Sequence, residues 1–244
     1  MPPLLECRGI TVRFGGLTAL SGVDLAVDAG HVLSVIGPNG AGKTTLFNVI
    51  TGRVRPTQGA VLLRGEALAG LPAFRVAQSG VVRTFQKTEV FGDLTLIQGV
   101  AAGALARGDA DPEARAREAL AAVGLLPKAR LTGSQLSYGD QRLLEIAQAL
   151  AAQPAVLLLD EPASGMNHQE CLNLMRLIGE LRDRGYAIVL VEHNMHVVMT
   201  ISDRVLVINY GRKIADGKPE AVRSDPQVIE AYLGVSQPAD ARPA

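Results

Sequence analysis

The sequence predicts an α/β fold with a parallel sheet, on three observations. A near-continuous apolar run, Val32 to Ile36, leads into a glycine-rich loop and then a helical pattern. From Gln141 to Glu192 helix and strand patterns alternate, the texture of crossover connections between parallel strands. The first third reads instead as short strands separated by turns.

Each element follows from local pattern. Leu4 to Phe14 alternates loosely and is rich in β-formers until Gly15-Gly16 breaks it. Val23 to Val27 alternates and stops at Asp28-Ala29-Gly30, while Val32 to Ile36 has the pattern of a strand covered on both faces. Thr44 to Ile50 is helical, with Leu46, Phe47 and Ile50 apolar, and Thr51-Gly52 ends it. Gly59 to Leu63, closed by Arg64-Gly65, is another strand.

From about Lys87 to Gln135 the chain is Ala-rich, with helix formers broken at Gly99, Gly103, Gly108, Pro112, Gly124 and Pro127. This predicts a small helical insert, reaching residue 150 if the next helix is counted with it. Helices are expected over Gln141–Ala152 and Glu170–Arg184, and strands over Val156–Asp160 and Ala187–Glu192. Arg204–Asn209 and Arg212–Ala215 flank Tyr210-Gly211 as a hairpin. A last helix, Asp225 to Gly234, precedes a Pro/Ala tail over 236–244 that is expected to be disordered. Residues 4–235 thus read as a single domain.

Composition narrows the function classes. Hydrophobic residues make up 48% of the 244 and charged residues 20%, which suits a packed core and not a disordered chain. Lys+Arg and Asp+Glu both total 24, so no basic excess draws the chain to nucleic acid or anionic lipid. Cys7 and Cys171 lie far apart, outside any ligand spacing, and read as buried thiols of a reducing compartment. The opening Met1-Pro2-Pro3-Leu4-Leu5-Glu6 lacks a basic region followed by a long apolar one, so no secretory signal is expected. Apolar runs such as Ala155–Leu159 and Ala187–Val191 fall far short of the roughly 20 residues of a membrane span. The expectation is a soluble, cytoplasmic protein whose membrane role would need a partner.

Three segments carry chemistry. Gly37-Pro38-Asn39-Gly40-Ala41-Gly42-Lys43-Thr44 fits G-x-x-x-x-G-K-[ST] between a buried strand and a helix. Small residues let consecutive N–H groups turn inward around phosphate, and the helix start adds its dipole. Lys43 is expected at the β/γ-phosphates and the Thr44 hydroxyl on Mg²⁺, with Thr45 beside it in the nucleotide site. Next, the strand Val156–Leu159 delivers Asp160 and Glu161 at its C-terminal end, where ligands of parallel sheets sit, and Pro162 stops it. Successive strand residues point oppositely, so the two acids need not do the same job; Asp160 is expected to hold Mg²⁺, usually through a water, and Glu161 to polarise the attacking water. Third, Leu136-Ser137-Tyr138-Gly139-Asp140 precedes a helix, where Ser137 and Gly139 form an N-terminal cap with free N–H groups.

In this order and spacing, the phosphate loop, Leu136-Ser137-Tyr138-Gly139 and Leu158-Leu159-Asp160-Glu161-Pro162 resemble an ATP-binding cassette (ABC) ATPase, from Leu4 to about Gly234. The resemblance implies a P-loop ABC ATPase fold: a mixed, mainly parallel sheet core, an N-terminal antiparallel β subdomain and the helical insert. It implies ATP and Mg²⁺, and a head-to-tail dimer in which Ser137 and Gly139 of one subunit close on the γ-phosphate held by the other. By the same resemblance, Phe14 stacks on adenine and Gln86, in Arg83-Thr84-Phe85-Gln86, senses Mg²⁺ and the attacking water. His193 is the switch histidine at the γ-phosphate, and Ala163 to Asn167 couple the two sites.

Ser-Tyr-Gly in the signature, Ser164-Gly165-Met166-Asn167 and the ending Val228 to Gly234 resemble the larger, LivG-type ATPase of branched-chain amino acid importers. That implies a second ATPase (hetero- or homodimer), two transmembrane permease subunits and, indirectly, a periplasmic solute-binding protein. The place of work would be the cytoplasmic face of the membrane, as a peripheral subunit. Near relatives import urea, short amides or aromatic acids. Val90, Phe91, Leu94 and Leu96 are the expected docking residues for the membrane partners. Asp140 stands where such proteins usually carry Gln, His31 where Glu is usual, and Asn194 where Asp is usual; Asp140 is expected to weaken closure slightly. A non-transport cassette acting on nucleic acid is disfavoured by the zero net charge and single cassette. A non-hydrolysing regulator is disfavoured by Glu161, Gln86 and His193.

Overall fold

A computed structural model describes residues 2–84 and 94–233. β1 (Leu5–Phe14) turns back at Gly15-Gly16 into β2 (Leu17–Val27), pairing antiparallel from Phe14 opposite Leu17 to Leu5 opposite Val27. β2 therefore starts well before the Val23 expected. Ladder pairing is a backbone matter, which Thr18 satisfies opposite Arg13 without any apolar alternation. β3 (Val32–Ile36) leads to α1 (Lys43–Ile50), and β4 (Gln58–Leu63) and β5 (Glu66–Ala67) complete a four-stranded antiparallel sheet in the order β2-β1-β4-β5.

The chain continues through α2 (Ala73–Ser79), β6 (Val81–Arg83), α3 (Leu96–Arg107), α4 (Pro112–Ala122), α5 (Tyr138–Ala151) and β7 (Val156–Asp160). It then runs through α6 (His168–Asp183), β8 (Ala187–Val191), α7 (Met195–Ile201), β9 (Arg204–Asn209), β10 (Arg212–Gly217), α8 (Pro219–Arg223) and α9 (Pro226–Leu233). The second sheet has the order β10-β9-β3-β8-β7-β6, every pair parallel except the β9–β10 hairpin. The mixed sheet and the separate antiparallel sheet are those expected.

Strand periodicity divides the core. Leu157 and Leu159 of β7, with Ile188 and Leu190 of β8, face a cluster built from α3 to α6, including Val100, Leu120, Ile146, Leu174 and Ile178. Leu158 and Val189 face the opposite way, onto Leu46 and Phe47 of α1 and onto Leu5, Val12 and Leu20 of the antiparallel sheet. Both faces of the central strands are thus covered, and β3, β7 and β8 are buried throughout. This fixes the C-terminal strand ends, where the acids and the phosphate loop emerge.

Cys7 and Cys171 are buried and free; burial pushes the Cys7 thiol up to about 12. Leu96 is also buried, in the α3–α5 cluster. This corrects its assignment to a docking groove, because the first turn of α3 needs it as a core anchor. Leu94 is partly exposed, while Val90 and Phe91 lie outside the described residues, as does the 236–244 tail.

Candidate active site

The loop from β3 to α1 is shaped by backbone that only glycine adopts cheaply. Gly37 has φ of 152°, and a Cβ there would lie 2.0 Å from the Ile208 carbonyl oxygen, so no other residue fits. Gly42 caps α1 without a side-chain bond, which leaves the first-turn amides for an anion. Lys43 folds back over its own loop, Nζ donating to the carbonyls of Gly37 (2.6 Å) and Pro38 (3.0 Å). Burial holds its pKa below the ordinary lysine value, against the opposing pull of Glu161 and Asp160.

This loop floors a cleft of about 440 Å³. Asn39 to Thr45 line it, with Phe14, Glu161, His193 and Tyr210 around them. Phe14 is 51% exposed, so it is a free aromatic face at the cleft and not a core residue. The outer side of the loop, at Pro38 and Asn39, faces Gln227 and Glu230 of α9 across a second cavity.

The two acids after β7 diverge as strand geometry requires. Asp160 turns inward and is 4% exposed. Its Oδ2 accepts from Arg83 Nη2 at 2.5 Å, while Arg83 Nη1 donates to Asn48 Oδ1 at 2.7 Å. The same guanidinium lies 5.4 Å from the Phe47 ring centroid. Glu161 turns into the cleft. Its backbone sits in the left-handed region, φ 50°, at a cost of about 1–2 kcal/mol for a residue with a Cβ. Its amide, donating to the Val191 carbonyl at 2.8 Å, fixes it there. Glu161 Oε1 and His193 Nε2 are 2.9 Å apart.

A hub lies behind that pair. Glu192 is 3% exposed; its Oε1 accepts from the Ala163 amide (2.7 Å) and its Oε2 from the amides of His193 (2.9 Å) and Asn194 (3.2 Å). The sequence alone gives neither Arg83 nor Glu192 a place in the site. The available signal was a charged residue at the end of an apolar strand, beside Gln86 in one case and His193 in the other.

Ser137 caps α5, its Oγ accepting from the Asp140 amide at 3.2 Å, and α5 starts at Tyr138 instead of the expected Gln141. Neither Ser137 nor Gly139 is among the residues lining the Lys43 cleft. Asp140 forms an ion pair with Lys128. The Tyr138 hydroxyl accepts from Arg142 at 2.7 Å, and its ring covers Gly165, where a Cβ would lie 2.7 Å from ring carbon Cε1. Gln86 lies outside the described residues. Among the described residues no group of three or more His, Cys, Asp or Glu side chains gathers to hold a metal. Thr44 lines the cleft, whereas Asp160 lies behind it with Oδ2 taken by Arg83. A threonine hydroxyl with Asp160 reached through water would suit Mg²⁺, which takes one or two protein oxygens and completes its shell from phosphate and water.

Residues 20–164 match the family model described as ABC transporter. The chain belongs to the ABC transporter family. Residues 212–237 of this cassette also match a model described as Branched-chain amino acid ATP-binding cassette transporter. The cassette is 45% identical over 250 residues to the high-affinity branched-chain amino acid transport ATP-binding protein LivG of Escherichia coli K12, covering 95% of this chain and 98% of LivG. Among solved structures it resembles an ATP-binding cassette in its ADP conformation, with TM-score 0.87, 28% identity and cover of 96% of this chain and 100% of that one. It also resembles a bacterial ABC transporter cassette solved as a dimer, with TM-score 0.79, 25% identity and cover of 88% and 98%. The protein is an ATP-binding ABC ATPase, and no helix among its described residues is long and apolar enough to cross a membrane.

Proposed function

We propose that this cassette is the ATP-hydrolysing subunit of a branched-chain amino acid importer, working through one ATPase domain over residues 4–235. The 45% identity to LivG and the C-terminal family match support the solute class. The observation that carries the hydrolytic reading is the Glu161–His193 contact at the mouth of the Lys43 cleft.

ATP sits in that cleft, its base against Phe14 and its phosphates against the amides of residues 39–45 that line it, with Lys43 Nζ at the β/γ-phosphates. Thr44, Asp160 and Gln86 are the residues to hold Mg²⁺, which supplies charge neutralisation at the phosphates. Glu161 takes the proton of the attacking water as its oxygen bonds to the γ-phosphorus and the bond from that phosphorus to the β–γ bridging oxygen breaks, so that ADP leaves and inorganic phosphate is formed. His193 keeps the Glu161 carboxylate aimed into the cleft. Ser137 and Gly139 lie outside the cleft lining, which favours their serving the nucleotide of a second cassette, in a dimer closed by ATP and reopened by hydrolysis. The further partners are two transmembrane permeases, fed by a periplasmic solute-binding protein, with the cassette peripheral on the cytoplasmic face.

The test is Glu161→Gln. Hydrolysis is expected to fall by about 10²–10⁴-fold, the usual worth of a general base, with ATP binding retained and an ATP-bound dimer accumulating. Wild-type turnover in that variant overturns the role given to Glu161.

A further inference from the structure

Among the described residues the buried Glu192 makes no ion pair, and the hydrolytic scheme does not use it. A carboxylate out of water is expensive unless its lone pairs are filled. Here main-chain amides fill them, from two different loops. Oε1 holds Ala163, two residues after Glu161, and Oε2 holds His193 and Asn194. The result is a closed ring. Glu161 meets His193 through side chains, both loops meet at the Glu192 carboxylate, and the Glu161 amide is tied to β8 at Val191.

We infer that Glu192 is a positioning residue for ATP hydrolysis: its carboxylate clamps the turn after Glu161 to the turn carrying His193, so that the two side chains stay in register. The inference rests on the roles proposed above for Glu161 and His193. The geometry asks for an ionised acid of this length. All the groups pointing at its oxygens are donors, so the NH₂ of a glutamine would face an N–H on one side and lose that loop. Aspartate keeps the charge but is one methylene too short to reach both loops. Glu192 does not itself line the cleft, so its loss should act on turnover and not on binding.

The experiment is steady-state ATP hydrolysis alongside binding of a fluorescent ATP analogue. It uses the full chain as wild type, Glu192→Gln, Glu192→Asp, His193→Ala and the Glu192→Gln/His193→Ala double variant. For Glu192→Gln we expect kcat to fall about 10–100-fold, the scale of a displacement near 1 Å in a reacting group, with the analogue Kd within about twofold. In the His193→Ala background the same change should cost little more, because the group it positions is gone. Should Glu192→Gln fail to fold, Glu192→Asp carries the same expectations. A folded variant with wild-type kcat, a Kd that rises in step with the loss, or a full multiplicative penalty in the double variant overturns the inference. Glu161→Gln run in parallel separates the two readings: if it hydrolyses normally, the scheme itself has failed, whereas if it alone is dead, only the clamp has.

Discussion

Arg83 and Asp160 form a buried ion pair, Nη2 to Oδ2 at 2.5 Å, with side-chain exposures of 8% and 3%. The pair joins β6 to the end of β7, and Asn48 and the Phe47 ring hold the guanidinium from the α1 side. Removing the cation strands a desolvated carboxylate, so Arg83→Met should destabilise the protein by about 3–5 kcal/mol. Arg83→Lys should recover only part of that, since an ammonium lacks the planar fork that reaches Asp160 and Asn48 together. Urea denaturation midpoints at constant m-value measure both.

The Lys128–Asp140 pair lies at the tip of α5 and is half exposed, 44% on the lysine side chain. Its worth to stability is at most about 1 kcal/mol. Its electrostatic role is larger, because Asp140 occupies the end of a helix proposed to meet a γ-phosphate. Lys128→Ala should therefore leave the melting temperature nearly unchanged while weakening ATP-driven dimer formation, and Asp140→Gln added to it should restore association. Sedimentation of these changes in the Glu161→Gln background, at two salt concentrations, reads the effect.

Lys43 gives a pH prediction. Its pKa is lowered by burial, so between that lowered value and the ordinary 10.5 the unfolded chain binds more protons than the folded one. Stability from this group therefore rises with pH across that window, and the penalty of a buried ammonium is fully present below it. The difference in unfolding free energy between wild type and Lys43→Met should move in favour of wild type as pH rises through the window. Nucleotide affinity should be lost in the variant at every pH.

Gly165 carries a φ of +75° and has the Tyr138 ring over its Cα. Gly165→Ala meets both a left-handed backbone and a 2.7 Å clash. The backbone part alone costs about 1–2 kcal/mol. Combining it with Tyr138→Ala should recover the clash part and not the backbone part, a coupling that a double-mutant cycle in urea measures.

What the sequence disclosed follows the strength of local pattern. β3, β7 and β8 were readable because burial on both faces forces unbroken apolar runs, and the phosphate loop because its glycines and lysine leave few alternatives. Thr18 to Gly22 of β2 hid because those residues are fixed by pairing with β1 and with Gly211. β6, only three residues long, and the short helices α2 and α7 offer too few turns or alternations to register. The divergence of the Asp160 and Glu161 side chains was legible, since alternation alone points them apart. The Asp160 partnership with Arg83 spans 77 positions, and the hub at Glu192 depends on amides, which carry no side-chain signature; both required the folded chain.

The ring of Tyr138 resting in the notch at Gly165 has a mechanical consequence. The tip of α5 and the turn beyond Glu161 are nested like a cog in its rack, so neither can shift without displacing the other. Motion at the start of that helix is therefore felt directly by the loop that follows the acid, through a single contact within one chain.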